Sequence, residues 1–194
     1  MRKSGPVRRM EESSFRSYVS AMNNGRGRQH EAAIEGACRY YHDTGRANII
    51  KVPEPFWVQN KITPTQAYVR FTAHAQPDYI GALKGGRLIA FEAKATSTDQ
   101  LKQDVVTPTQ AKALEDFTRL GAITGVCASI QDANFFIPWS VFSHMKENFG
   151  RKYVMAKELD YYRVRFNGCV MFLDYQSGRD RQKISTVEQE FRKD

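Results

Sequence analysis

The chain has 194 residues, enough for one domain with a hydrophobic core, or for a domain with an appendage. Hydrophobic residues make up 41% and charged residues 26%, the balance of a soluble globular protein, and no apolar run reaches membrane-spanning length. Lysine and arginine outnumber aspartate and glutamate by 29 to 21, a net charge of +8 that attracts polyanions, with binding that weakens steeply in salt.

Cys38, Cys127 and Cys169 are odd in number, widely spaced and set among apolar or aromatic neighbours. They read as reduced core residues of a cytosolic protein, since zinc ligands come in close pairs. The four histidines are equally scattered. Met1–Arg9 is basic but no apolar segment follows it, so no signal peptide is expected.

In chain order, Met1–Met10 carries Arg2, Lys3, Arg8 and Arg9 and reads as an arm lying on phosphates or as a free end. A short helix is expected over Glu11–Met22. Asn23-Asn24-Gly25-Arg26-Gly27-Arg28 is then expected to break regular structure and offer backbone amides, Arg26 and Arg28 to an anion. A second helix should run from about Gly27 to His42, with Ile34, Ala37, Cys38 and Tyr41 as its apolar stripe. Glu31 lies at the margin of that stripe, where a third acidic group would meet a metal; the plainer reading is that it complements the helix dipole.

Pro53, Pro55 and Pro64 exclude a helix over Asn48–His74. Polar and apolar residues alternate from Gln66 to Phe71, predicting a half-buried strand. Phe56, Trp57 and Tyr68 either pack against the protein or stand free to stack on bases, packing being the simpler reading.

The stretch Gln76–Lys94 carries the chemistry. It reads as two short apolar strands around Lys84-Gly85-Gly86, with Asp78 opening the first and Glu92-Ala93-Lys94 ending the second. Strand alternation puts Glu92 and Lys94 on one face with Leu88 and Ala90, and Ile89, Phe91 and Ala93 on the other. A two-residue loop would set Asp78 opposite Ala93, on the wrong face. A three-residue Lys84–Gly86 loop sets it opposite Glu92, and this register is the one expected. Two carboxylates and an ammonium at one place are equipment for holding Mg²⁺ and positioning a hydrolytic water. The alternative is a surface hairpin with solvated charged ends.

Ala95–Val106 reads as a polar loop containing Lys102. Thr107-Pro108-Thr109-Gln110 opens a helix to about Leu120 with a threonine cap, proline at the first position and glutamine at the third. The capping box explains Gln110; orienting water or phosphate is its second reading. A buried strand is expected over Ala122–Ile130, a turn at Asp132-Ala133-Asn134 into Phe135–Ile137, and a helix over Val141–Asn148. Tyr161–Phe166 and Cys169–Tyr175 are predicted as strands joined by a tight turn at Asn167-Gly168, followed by a charged tail.

Taken together, Arg26-Gly27 with Glu31, Asp78-Tyr79-Ile80-Gly81, Lys84-Gly85, Phe91-Glu92-Ala93-Lys94, Gln110, and Gly121–Ile130 leading to Phe135-Phe136-Ile137 resemble the PD-(D/E)xK nuclease superfamily. Within it the chain is most similar to the RecU-type Holliday junction resolvases, over roughly residues 24–175. The resemblance implies an α+β restriction-endonuclease-like core, a central mixed sheet flanked by helices, with a protruding stalk over about residues 52–75. Residues 1–23 would form a basic arm and short helix, and residues 176–194 a tail. It implies Asp78 and Glu92 as metal ligands, Lys94 steadying the water or the developing charge, Glu31 as the extra acid and Gln110 beside them. Arg26, Arg28, Phe56, Trp57, Lys61 and Arg70 are the expected DNA contacts.

By the same resemblance, members act as homodimers with Mg²⁺, which Mn²⁺ can replace, and cut four-way junctions by paired symmetric nicks in recombination and repair. They do so alongside other recombination proteins, in a bacterial cytoplasm or a phage-infected cell. The basic N-terminal extension and the aromatic Phe56-Trp57 pair depart from the family pattern. Another nuclease of the superfamily, exonuclease or restriction-like, and a non-catalytic DNA-binding protein of the same fold are the competing readings.

Overall fold

The first described element is a long helix: α1 (Pro6–Asp43) runs for 38 residues without interruption. The structure, a computed structural model, describes residues 6–72 and 76–176, with side chains from residue 25 onward. The break expected over Asn23–Arg28 is absent, because these residues continue the helix. Gly25 and Gly27 each cost about 1 kcal/mol against alanine in a helix, too little to outweigh cooperative propagation from both sides. Open space surrounds both glycines, so no packing contact imposes a turn. The amides that a loop would have offered to an anion are therefore helical amides.

Ile34, Ala37, Cys38 and Tyr41 are all buried, as the stripe predicts. Gly45, at positive φ, ends the turn after α1 and feeds β1 (Ala47–Lys51). The chain then leaves the core as a ribbon, β2 (Phe56–Thr63) and β3 (Gln66–Phe71), and returns as β4 (Tyr79–Leu83) and β5 (Leu88–Thr96). The Ala95–Val106 segment is not a plain loop. It finishes β5, forms β6 (Gln100–Lys102) and ends in a short 3-10 turn. Next come α2 (Pro108–Arg119), β7 (Ile123–Ile130) and β8 (Ala133–Pro138). The helix expected over Val141–Asn148 is two short ones, α3 (Trp139–Phe142) and α4 (Met145–Phe149), and β9 (Tyr153–Met155) pairs with β6, a partnership the sequence did not suggest.

The central sheet has the order β1-β4-β5-β7-β8. Its β5–β7 pair is parallel and its other pairs antiparallel, so the sheet is mixed. The crossover from β5 to β7 contains α2, and this decides which face each helix covers. On one face α1 packs Ile34 and Tyr41 with Phe91, Phe136 and Phe172. On the other, Leu114 of α2 joins Val126, Phe135, Ile137, Phe142 and Met145. Each fully buried phenylalanine contributes about 1.5–3 kcal/mol of burial free energy.

The late hairpin over Tyr161–Tyr175 does not form. One bridge, Phe166 to Val170, stands where it was expected, between 3-10 turns at Asp160–Tyr162 and Phe172–Gln176. Val170, Met171, Phe172 and Leu173 are consecutively buried, which an alternating strand on a surface cannot achieve. Burial of the whole run against α1 overrides the turn signal. All three cysteines are free, as expected. The tail over residues 177–194 lies outside the described residues.

The β2–β3 ribbon departs most from expectation. Gln66–Phe71 is a strand, but not a half-buried one: of its residues only Val69 escapes full exposure, and every residue of β2 is exposed. Trp57 is 72% and Tyr68 65% exposed, so these aromatics stand free rather than packed. Irregularities after Val58 and after Lys61 re-aim the strand, and Trp57 ends up across from Arg70.

Candidate active site

The β4–β5 hairpin has the register the chemistry requires. Tyr79 pairs with Phe91 and Ala82 with Leu88, which sets Asp78 opposite Glu92. The loop is the three-residue Lys84–Gly86 turn, closed by Leu83 N–H donating to Arg87 O at 2.8 Å. Gly85 and Gly86 adopt φ of +94° and +88°, a region that side chains with a Cβ disfavour. Ala93 falls opposite Pro77, where the ladder ends. Its N–H turns instead to Asp78 Oδ2 at 2.9 Å and fixes that carboxylate.

Glu92 is wholly buried, whereas Asp78 is 32% and Lys94 20% exposed at their side chains. Lys94 Nζ donates to Glu92 Oε2 at 2.8 Å and to Asp78 Oδ2 at 3.4 Å. Burial, then the Asp78 charge, pushes the Glu92 carboxyl up to about 7 against the pull of Lys94. Burial alone would lower Lys94, but the charges of Asp78 and Glu92 and its bonds to both carry it above its ordinary value. The cluster thus holds two carboxylates and one lysine in a place where their mutual repulsion is poorly screened.

Gln110 caps its helix and also reaches the acid cluster. At the third position of α2 its Oε1 accepts the Thr107 N–H at 3.0 Å and completes the capping box. Its Nε2 donates to Glu92 Oε2 at 2.6 Å. Glu92 Oε2 therefore has two donors, while Glu92 Oε1 is buried with no hydrogen-bond partner. A carboxylate oxygen buried bare beside a second carboxylate fits a cation, since an unpaired buried charge is otherwise costly. The hard oxygen donors suit Mg²⁺ or Mn²⁺.

Glu31 does not complete a three-acid cluster: among the described residues no three or more His, Cys, Asp or Glu side chains come together as a metal-holding group. Its Oε2 accepts from Lys51 Nζ at 2.8 Å. It does border the same space, for Glu31, Lys51 and Asp78 line a cavity of about 470 Å³ at the foot of the ribbon. Sequence reading passed over Lys51; its place at the end of a strand facing two helical acids was the available signal.

Of the expected DNA contacts, Arg28, Phe56, Trp57, Lys61 and Arg70 are exposed. Arg26 is not on a loop. It donates from Nη1 to Gln131 O at 3.0 Å and lies 3.7 Å from Asp132, tying α1 to the β7–β8 turn. His30 nearby is buried, its Nε2 3.0 Å from Cys127 O, and burial holds its pKa below the ordinary value.

The fold and the cluster define a class: a mixed α+β sheet with two acids and a lysine on its central hairpin and an exposed ribbon beside them. The family model described as RecU, Recombination protein U, matches residues 25–180, and the chain belongs to that family. Among solved structures, Hjc of Archaeoglobus fulgidus, a Holliday junction resolvase from an archaeal hyperthermophile, is similar at 18% identity. That match covers 55% of this chain and 74% of that one, with a TM-score of 0.36. No curated protein matches the chain.

Proposed function

We propose that this chain is an endodeoxyribonuclease that resolves four-way (Holliday) DNA junctions by paired symmetric nicks, using Mg²⁺, or Mn²⁺ in its place. The observation that carries the reading is Asp78 across from Glu92 with Lys94 bonded to both, in a member of the RecU family. Asp78 and Glu92 would hold the cation, which when bound supplies Lewis acidity toward the phosphodiester. Lys94 is the mobile donor of the site. It can leave its present acceptors for the attacking water or for negative charge gathering on the phosphoryl oxygens. Gln110 holds Glu92 in place, and Glu31 is the acid bordering the approach, balanced by Lys51.

The net charge of +8 supports a polyanionic partner. On the ribbon, Lys61 and Arg70 would meet phosphates and Phe56 and Trp57 would stack on bases opened at the branch, with Arg28 of α1 adding a phosphate contact. Cutting two strands symmetrically calls for two sites, so the working form is a homodimer acting in the cytoplasm. Residues 24–175 would be the nuclease domain, with residues 52–75 as stalk, residues 1–23 as a basic arm and residues 176–194 as tail.

The test is cleavage of labelled four-way junction, linear duplex and single strand, with and without Mg²⁺. Paired nicks on the junction alone, dependent on the cation, are expected. Equal cutting of linear duplex would transfer the protein to another nuclease activity of the same superfamily. No cutting of any substrate would leave a DNA-binding protein.

A further inference from the structure

Thr107 stands one residue before α2, on the side of Gln110 away from Glu92, and its role goes past capping. Its hydroxyl accepts from Gln110 N–H at 3.3 Å and donates to Gln110 Oε1 at 3.1 Å. Its own N–H donates to the same Oε1 at 3.0 Å. The Thr107 N–H can only donate, so the Gln110 amide must present its carbonyl oxygen there, and the hydroxyl adds a second donor to the same oxygen. The amide nitrogen must then face Glu92, and it does, at 2.6 Å from Oε2. Glu92 Oε2 accepts from it, so donors meet acceptors at both ends.

The consequence falls on the far oxygen of Glu92. Gln110 and Lys94 both spend themselves on Oε2, and Oε1 is left buried and without a partner. We infer that Thr107 is a positioning residue of the cation site: acting through Gln110, it fixes which oxygen of Glu92 is spent on the protein and which is kept for the ion. This rests on the proposed cation site. It adds that the start of α2 and the affinity for the ion are one device, so that loosening the cap loosens the ion. Outer partners that orient metal-holding side chains commonly act in this way.

The test compares wild type with Thr107→Val, which removes the hydroxyl, and Thr107→Ser, which keeps it. Mn²⁺ binding is read by calorimetry without DNA, thermal melting is read in chelator, and junction cleavage is read against Mn²⁺ concentration. Thr107→Val is expected to weaken Mn²⁺ binding about tenfold while Thr107→Ser stays within about twofold of wild type, the lower end for losing an outer partner. Cleavage by Thr107→Val should return toward the wild-type rate at saturating Mn²⁺, since the reacting groups are untouched. Should valine disturb folding, Thr107→Gly, a tolerated cap residue without the hydroxyl, must show the same loss of affinity. Wild-type Mn²⁺ affinity in these variants, with only a lowered melting temperature, overturns the inference and leaves Thr107 a helix cap. Absence of Mn²⁺ binding in the wild type would instead remove the cation site itself, and this inference with it.

Discussion

Lys51 Nζ lies 2.8 Å from Glu31 Oε2 and 3.6 Å from Glu35 Oε1, so one ammonium answers two acids on successive turns of α1. The groups are about two-fifths exposed, and pairs of that kind contribute at most about 1 kcal/mol to stability. Their larger effect is on charge beside the Asp78 cavity. Lys51→Met should leave the melting temperature nearly unchanged and weaken junction binding, more at low salt than at high salt. Binding isotherms at two ionic strengths, set beside a melting curve, check both halves.

Glu92 gives a pH dependence with a definite sign. Its carboxyl is raised from 4.5 to about 7 in the folded protein, by burial first and by Asp78 second. Between those values the native state keeps a proton that the unfolded chain has lost. Stability of the metal-free protein therefore falls as pH rises through that window, and the whole loss is present above about pH 7. Glu92→Gln removes the titration. In chelator it should be more stable than wild type near about pH 8, with the advantage vanishing toward about pH 4.5. Urea denaturation at several pH values measures it. Added Mn²⁺ should stabilise wild type at the higher pH and not the variant.

The hairpin depends on a glycine outside its loop. Gly81 sits opposite Ile49, and a Cβ there would run into the backbone of Asn48 and Ile49. Main chain cannot swing aside as a flexible side chain can. Gly81→Ala should lower stability by about 1–3 kcal/mol and disturb the Asp78–Glu92 register. The shift in urea midpoint and the loss of cleavage should appear together.

Much of the site was legible because local rules were enough. The Lys84–Gly86 loop and strand alternation set Asp78 against Glu92, and Thr107-Pro108-Thr109-Gln110 announced its own cap. The misses were long-range. Nothing near Gln100–Lys102 tells that its partner is Tyr153–Met155. Asn167-Gly168 carries a genuine turn signal, yet the core beneath α1 takes Val170–Leu173 whole. Gln66–Phe71 alternates like a half-buried strand but has no layer to lie on. Asn23–Arg28 holds two glycines and still stays helical.

Trp57 is the most exposed aromatic of the ribbon, and Arg70 is its cross-strand neighbour. Exposure means that Trp57→Ala removes little packing, so melting should not move. Stacking on an opened base is worth about 1–3 kcal/mol, and affinity for a four-way junction should fall by roughly five- to a hundredfold. Affinity for linear duplex, with its bases already stacked, should change little. Gel-shift titrations on the two substrates separate these outcomes.

The central claim is that Asp78 and Glu92 share one divalent ion. Crystals soaked in Mn²⁺ and measured at the manganese absorption edge test it directly. The account predicts an anomalous peak within about 2–2.5 Å of an oxygen of each carboxylate, on the Oε1 side of Glu92. No peak between them, or the two acids turned apart around an ion held elsewhere, would contradict it.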